Sequence, residues 1–97
     1  MSSYTVIVQP EAEQDLEQAY NYLEQQAEEL GFDFLAEVAN VIELLEEMPL
    51  LFPKVYRDLR RAVVSRFQYN IIYKVEHSTV FILAITHGKR NPGSWQK

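Results

Sequence analysis

The hydrophobic pattern of this chain changes after Met48, and the change dictates the fold. From Pro10 to Met48 apolar residues recur at every third or fourth position; from Arg60 onward they fall in short β-branched and aromatic runs. A period near 3.6 buries one stripe of a helix, and short β-branched and aromatic runs favour strands. The first half is therefore helical and the second half is sheet. Tyr4 to Val8 (YTVIV) precedes the helices as a short β-branched strand. Pro10 opens a first helix, where its missing N–H costs nothing, and Ala12, Leu16, Ala19, Tyr20, Leu23, Ala27 and Leu30 form its apolar face. Gly31 is expected to stop it as a C′ residue.

A second helix is predicted from Phe32 or Asp33 to Met48. Leu35, Val38, Ile42 and Leu45 make its core stripe, and Phe34, Val41, Leu44 and Met48 widen it beyond one face. That excess is met either by burial on two sides within the domain or by a partner. Pro49 ends the helix, and residues 49–57 form a connection. Arg60 to Arg66, Tyr69 to Glu76 and Thr79 to His87 read as three strands joined at Phe67-Gln68 and His77-Ser78. The order β-α-α-β-β-β gives an α+β fold: a small, mainly antiparallel sheet with a helical hairpin packed on one face. Ninety-seven residues, 47% of them hydrophobic, make a single domain over 1–97 with a core of its own.

Charge is divided as sharply as the hydrophobic pattern. Residues 1–53 hold twelve acids and no Lys or Arg; residues 54–97 hold all nine basic residues and two acids, so the halves carry −12 and +7 around a net −5. Such a dipole draws an anionic partner to the basic half. There is no cysteine, which excludes a disulfide framework and any thiolate metal or redox site. His77 and His87 are the only histidines, and no metal-ligand spacing or glycine-rich phosphate loop is present, so no metal or cofactor is expected. The longest apolar run, Val80 to Ile85, is far short of a membrane span, and Met-Ser-Ser-Tyr-Thr carries no charged region ahead of an apolar stretch. A cytoplasmic location is the expectation.

With turns centred as above, Ala62, Val64, Tyr69, Ile71, Tyr73, Val75, Val80, Ile82 and Ala84 share the helix-facing side of the sheet. Arg61, Val63, Ser65, Asn70, Ile72, Lys74, Phe81, Leu83, Ile85 and His87 share the other. This outer face is apolar in its middle and polar or basic at its corners, so it is covered either by a partner or by the tail through Trp95. Arg66, Asn70, His87, Lys89 and Arg90 are expected to converge at one end of the sheet, with Arg60 and Arg61 near the other. Arginine's planar fork suits phosphate or carboxylate. An imidazole can serve as acid or base near pH 7, which makes His87, with Arg90 and Arg66, the candidate for acid–base or charge-stabilising work.

The chain resembles the RelE/ParE superfamily of toxins from type II toxin–antitoxin, or plasmid stabilisation, systems, and more closely the ParE branch. The resemblance runs through Pro10-Glu11-Ala12-Glu13-Gln14-Asp15-Leu16, the helical hairpin, Met48-Pro49 and Arg60-Arg61. It is strongest at Arg66-Phe67-Gln68-Tyr69-Asn70-Ile71-Ile72-Tyr73-Lys74-Val75 and at His87-Gly88-Lys89-Arg90-Asn91-Pro92. It implies growth inhibition by binding a macromolecular target, DNA gyrase for the ParE branch, and neutralisation by a cognate antitoxin, with operator DNA reached only through that antitoxin. The candidate target contacts are Arg60, Arg61, Arg66, Asn70, His87, Lys89, Arg90 and Trp95, of which the resemblance matches the basic pair Lys89 and Arg90. The RelE branch instead cleaves mRNA on the ribosome. Its arginine before the paired aliphatics is Asn70 here, and its terminal tyrosine has no match, Trp95 and Gln96 occupying that region. A ParE-like toxin, with no hydrolytic activity expected of it, is therefore the first expectation. A RelE-like endonuclease with an atypical site, or a non-toxic module that still binds antitoxin, are the alternatives.

Overall fold

The computed structural model describes residues 4–88. Its elements are β1 (Thr5–Val8), α1 (Pro10–Gln26), α2 (Leu30–Glu47), β2 (Lys54–Tyr56), β3 (Leu59–Val64), β4 (Tyr69–Glu76) and β5 (Thr79–His87). The sheet has five strands in the order β1-β5-β4-β3-β2. β1 runs parallel to β5 and the other neighbours are antiparallel. The expected α+β architecture is present, with α1 and α2 as a hairpin against one face. β2 is an addition. It lies in the proline-containing connection, where Val55 and Tyr56 favour a strand, and it occupies the edge, where the neighbouring Pro53 costs no ladder bond.

The helices pack through Ala12, Ala19, Leu23, Phe34, Val38 and Leu45 onto Ala62, Val64, Tyr69, Ile71, Tyr73, Val80, Ile82 and Ile85. Phe34 is fully buried, its ring meeting Phe67 and Tyr69 at centroid distances of 5.4 and 4.9 Å. Leu35, expected in the core, is only half-buried. The stripe of α2 is thus rotated by one residue towards Phe34.

The break between the helices is not at Gly31. Glu29 makes the turn, with φ 67°, and Gly31 lies inside the first turn of α2. Its smallness serves close packing instead. A Cβ at Gly31 would come within 2.7 Å of the Tyr20 ring and 2.8 Å of Glu24 Cγ, while the Gly31 N–H donates to Glu24 Oε1 at 2.7 Å. That bond satisfies one of the orphan donors of the helix start.

Both strand registers carry a correction. The β3–β4 turn has four residues, Ser65 to Gln68, so Val64 pairs with Tyr69 and β3 stops before Arg66. This moves the expected pairing by two residues and leaves every side chain on its expected face. The His77-Ser78 turn is as expected, pairing Glu76 with Thr79, but a bulge follows. Tyr73 pairs with Ile82, whereas Ile72 pairs with Ala84, leaving Leu83 as the extra residue. Beyond the bulge the faces exchange. Ile85 enters the main core, and Ala84 joins Leu59 and Ile72 in a second cluster backed by Tyr56 and Leu83.

Tyr73 ties the sheet to the end of the hairpin. It is wholly buried, and its hydroxyl donates to the Pro49 carbonyl at 2.5 Å. Burial pushes its pKa up to about 12, against a smaller opposing pull from Arg60. Below pH ~10 the phenol is neutral in folded and unfolded chains alike, and its contribution is intact. As pH rises from there, the unfolded chain loses this proton first, so stability should fall up to pH about 12. Tyr73→Phe is expected to flatten that alkaline decline and to cost about 1–3 kcal/mol at neutral pH, because the Pro49 carbonyl loses its donor. Urea titrations across the alkaline range would read both effects; an unchanged alkaline slope would contradict the assignment.

Candidate functional site

Two depressions flank the end of the sheet where β5 leaves it. They lie on opposite faces, and their chemistry differs.

The outer-face depression, of about 390 Å³, is lined by Arg61, Val63, Ser65, Gln68, Asn70 and Gly88. β3 supplies Arg61 and Val63 at alternate positions, so both point away from the helices. Asn70 is buried, and its Nδ2 donates to the Gly88 carbonyl at 3.2 Å. This bond holds the last described residue against β4. Gly88 is required here by contact rather than by φ: a Cβ would lie 2.8 Å from the Gln68 carbonyl oxygen. Thr86, paired with Asn70 across the strands, has a buried hydroxyl with no hydrogen-bond partner among the described residues. Arg61 has no ion-pair partner among the described residues, and Val63 is 47% exposed beside it. The surface offers an unpaired guanidinium, amide groups and a patch of apolar area, which is the composition of a docking face.

The second depression, of about 220 Å³, lies between α1 and the last residues of β5 and is lined by Asp15, Gln18, Ala19, Tyr22, Tyr69, Ile85, Thr86 and His87. β1 ends at Val8, opposite Ile82, so farther along β5 its open edge meets α1 instead. There the Ile85 N–H donates to Asp15 Oδ2 at 3.0 Å. The His87 ring stands edge-on to Tyr69, with centroids 5.1 Å apart. Burial, and then the neighbouring Tyr22, raise the Tyr69 pKa above its ordinary value.

Among the described residues the expected convergence of Arg66, Asn70 and His87 is not found; Arg61, expected near the other end of the sheet, instead lines the outer-face depression with Asn70. His87 does not join them, because the bulge turns it to the helix side, opposite Tyr69. Arg66 is drawn towards α2, with Nη2 3.4 Å from Asp33 Oδ2 and its guanidinium 5.0 Å from the Phe67 ring. The pair is exposed and contributes little to stability. Arg60 lies opposite Tyr73 and donates from Nη1 to the Phe52 carbonyl at 2.6 Å, so it pins the connection before β2. Lys89, Arg90 and Trp95 lie outside the described residues, as does any cover that Trp95 gives the outer face. Sequence reasoning misses Asp15, Gln18, Tyr22 and Tyr69 as pocket residues. Asp15, Gln18 and Tyr22 share one helix face at spacings of three, four and seven, a signal hidden beneath the apolar stripe beside it.

A family comparison places this hairpin of helices on a mixed sheet among the toxins of type II toxin–antitoxin systems. The chain belongs to the ParE toxin family: the family model described as the ParE toxin of the type II toxin–antitoxin system, parDE, matches residues 6–92. Among solved structures it is similar to a chain described as the chromosomal ParDE TA system from P. aeruginosa, with a TM-score of 0.79. That likeness covers 90% of this chain and 98% of the other at 14% identity, and it speaks for the fold. A comparison with curated proteins finds no match. Among the described residues no helix is long and apolar enough to cross a membrane.

Proposed function

We propose that this chain inhibits growth by binding DNA gyrase through the outer face of its sheet, and that a cognate antitoxin neutralises it in the cytoplasm. One observation carries the reading: the described lining of the outer-face depression contains an unpaired guanidinium and amides but no acid–base group. Such a surface binds an anionic or polar target and has no means of moving a proton. His87, the candidate acid or base, sits on the opposite face beside the Asp15 carboxylate, where no Lys or Arg among the described residues lines the pocket. Phosphodiester cleavage needs positive charge where negative charge develops. This separation favours gyrase binding over the RelE-like reading.

The target contacts in this proposal are Arg61 and Asn70, together with Lys89, Arg90 and Trp95, which lie outside the described residues. Arg60, Arg66 and His87 are engaged within the fold, with the Phe52 carbonyl, Asp33 and Tyr69, and are not among the proposed contacts. The antitoxin is assigned to the apolar groove of the hairpin, about 410 Å³, lined by Leu16, Tyr20, Phe32 and Leu35 between Glu13 and Glu17. Phe32 is 60% exposed there although its ring stacks edge-on against Tyr20. An amphipathic segment would cover it in helix-in-groove fashion. Purified chain added to a gyrase supercoiling reaction is expected to inhibit it, and to leave mRNA on translating ribosomes intact. Inhibition of neither, or cleavage of the mRNA, would contradict the proposal.

A further inference from the structure

We propose that the pocket between α1 and the end of β5 receives one guanidinium group, the arginine side chain of a protein partner. This role lies outside the toxin reading and rests on the pocket's own chemistry. Its volume, about 220 Å³, is below the usual range for a cofactor or nucleotide and suits a single long side chain. Three aromatic rings, Tyr22, Tyr69 and His87, contribute to its walls, and Asp15 and Gln18 supply acceptors. Rings around a carboxylate make a receptor for a delocalised cation, which gains from the ring faces and from the charge together.

Each wall element is held in place without a ligand. The Asp15 carboxylate is oriented by the Ile85 N–H at Oδ2, leaving the remaining lone pairs for a second donor. It has no ion-pair partner among the described residues. Tyr69 is fixed by Phe34 on one side and His87 on the other. Tyr22 is 55% exposed at the rim, where its ring can meet an entering side chain. Charge selects the occupant. α1 carries Glu11, Glu13, Asp15, Glu17 and Glu24 and no basic residue, so a cation approaches along a favourable field and an anion does not. Arginine fits better than lysine because its planar fork both stacks on rings and pairs with a carboxylate. A buried arginine among aromatic rings is also a recurrent anchor of protein interfaces.

The test is a titration of the full ¹⁵N-labelled chain with N-acetyl-arginine N-methylamide, with the citrulline analogue as a neutral isostere and free arginine as a third probe. The expected result is saturable amide shifts at Gln18, Tyr22, Ile85 and His87 in the millimolar range. Citrulline is expected to bind at least about tenfold more weakly, the equivalent of about 1.4 kcal/mol. Asp15→Asn keeps an oxygen for the Ile85 N–H and should weaken binding by a similar factor without unfolding the chain. Tyr22→Leu, at the exposed rim, should weaken it independently. Equal shifts with arginine and citrulline, or unaltered binding by Asp15→Asn, would overturn the proposal. Free arginine binding more tightly than the blocked residue would overturn the assignment to a partner's side chain. A chain that arrests growth but ignores the probe would sink this inference alone.

Discussion

Ile82→Ala is expected to destabilise the domain by about 2–5 kcal/mol, and Ile85→Ala by a comparable amount. Both side chains are at least 95% buried among the residues joining helices to sheet. A domain of this size has roughly 5–15 kcal/mol in all, so either change should leave a visible unfolded fraction near physiological temperature. The pair tests the bulge. Simple alternation puts Ile82 and Ile85 on opposite faces, whereas the bulge at Leu83 puts both against the helices. Leu83→Ala, at a half-buried position in the smaller outer cluster, should cost less than either. Urea denaturation reads all three. A cost below about 1 kcal/mol at Ile85 with the expected cost at Ile82 would mean that β5 runs without the register shift.

The second large effect is on growth. Replacing Arg61, Lys89 and Arg90 together by Ala is expected to abolish most growth inhibition at equal expression. At Arg61, a partly exposed position with no ion-pair partner among the described residues, stability should change by no more than about 0.5 kcal/mol. His87→Gln separates mechanisms: it should leave inhibition close to the parent level, because His87 sits on the helix side, away from the proposed target contacts. An endonuclease using this imidazole as acid or base would lose roughly 10²–10⁴-fold in rate. Counting colonies after induction of each variant, with protein levels matched by immunoblot, decides between the two.

The places where sequence and structure part company share a physical origin. β4 and β5 are legible to the residue because their ends are marked by polar turns and their apolar content is dense. The bulge is not legible, since Ile82-Leu83-Ala84-Ile85 is apolar throughout and gives no alternation by which to detect an exchanged face. The misplacement of His87 follows directly from it. Gly31 misleads because a glycine between two helical patterns normally marks a left-handed cap, yet here Glu29 adopts that conformation and Gly31 yields room to Tyr20. Arg57, Gln68 and His77 likewise take positive φ in the turns of the sheet, without the Gly or Asn that makes such turns readable. Arg61 and Asn70 are legible as outer-face residues because their strands alternate regularly on the near side of the bulge. Arg60 and Arg66 are legible as cations, but their engagement within the fold is not. Their partners, the Phe52 carbonyl and Asp33, come from other segments of the chain.

The most direct measurement is induction of the chain in cells lacking any antitoxin, with DNA damage response, filamentation and transcript integrity followed in the same culture. A gyrase-directed toxin should halt division, produce filaments and trigger the DNA damage response while transcripts remain whole. Growth arrest with rapid loss of transcripts and no filamentation, or unimpaired growth at full expression, would contradict that account.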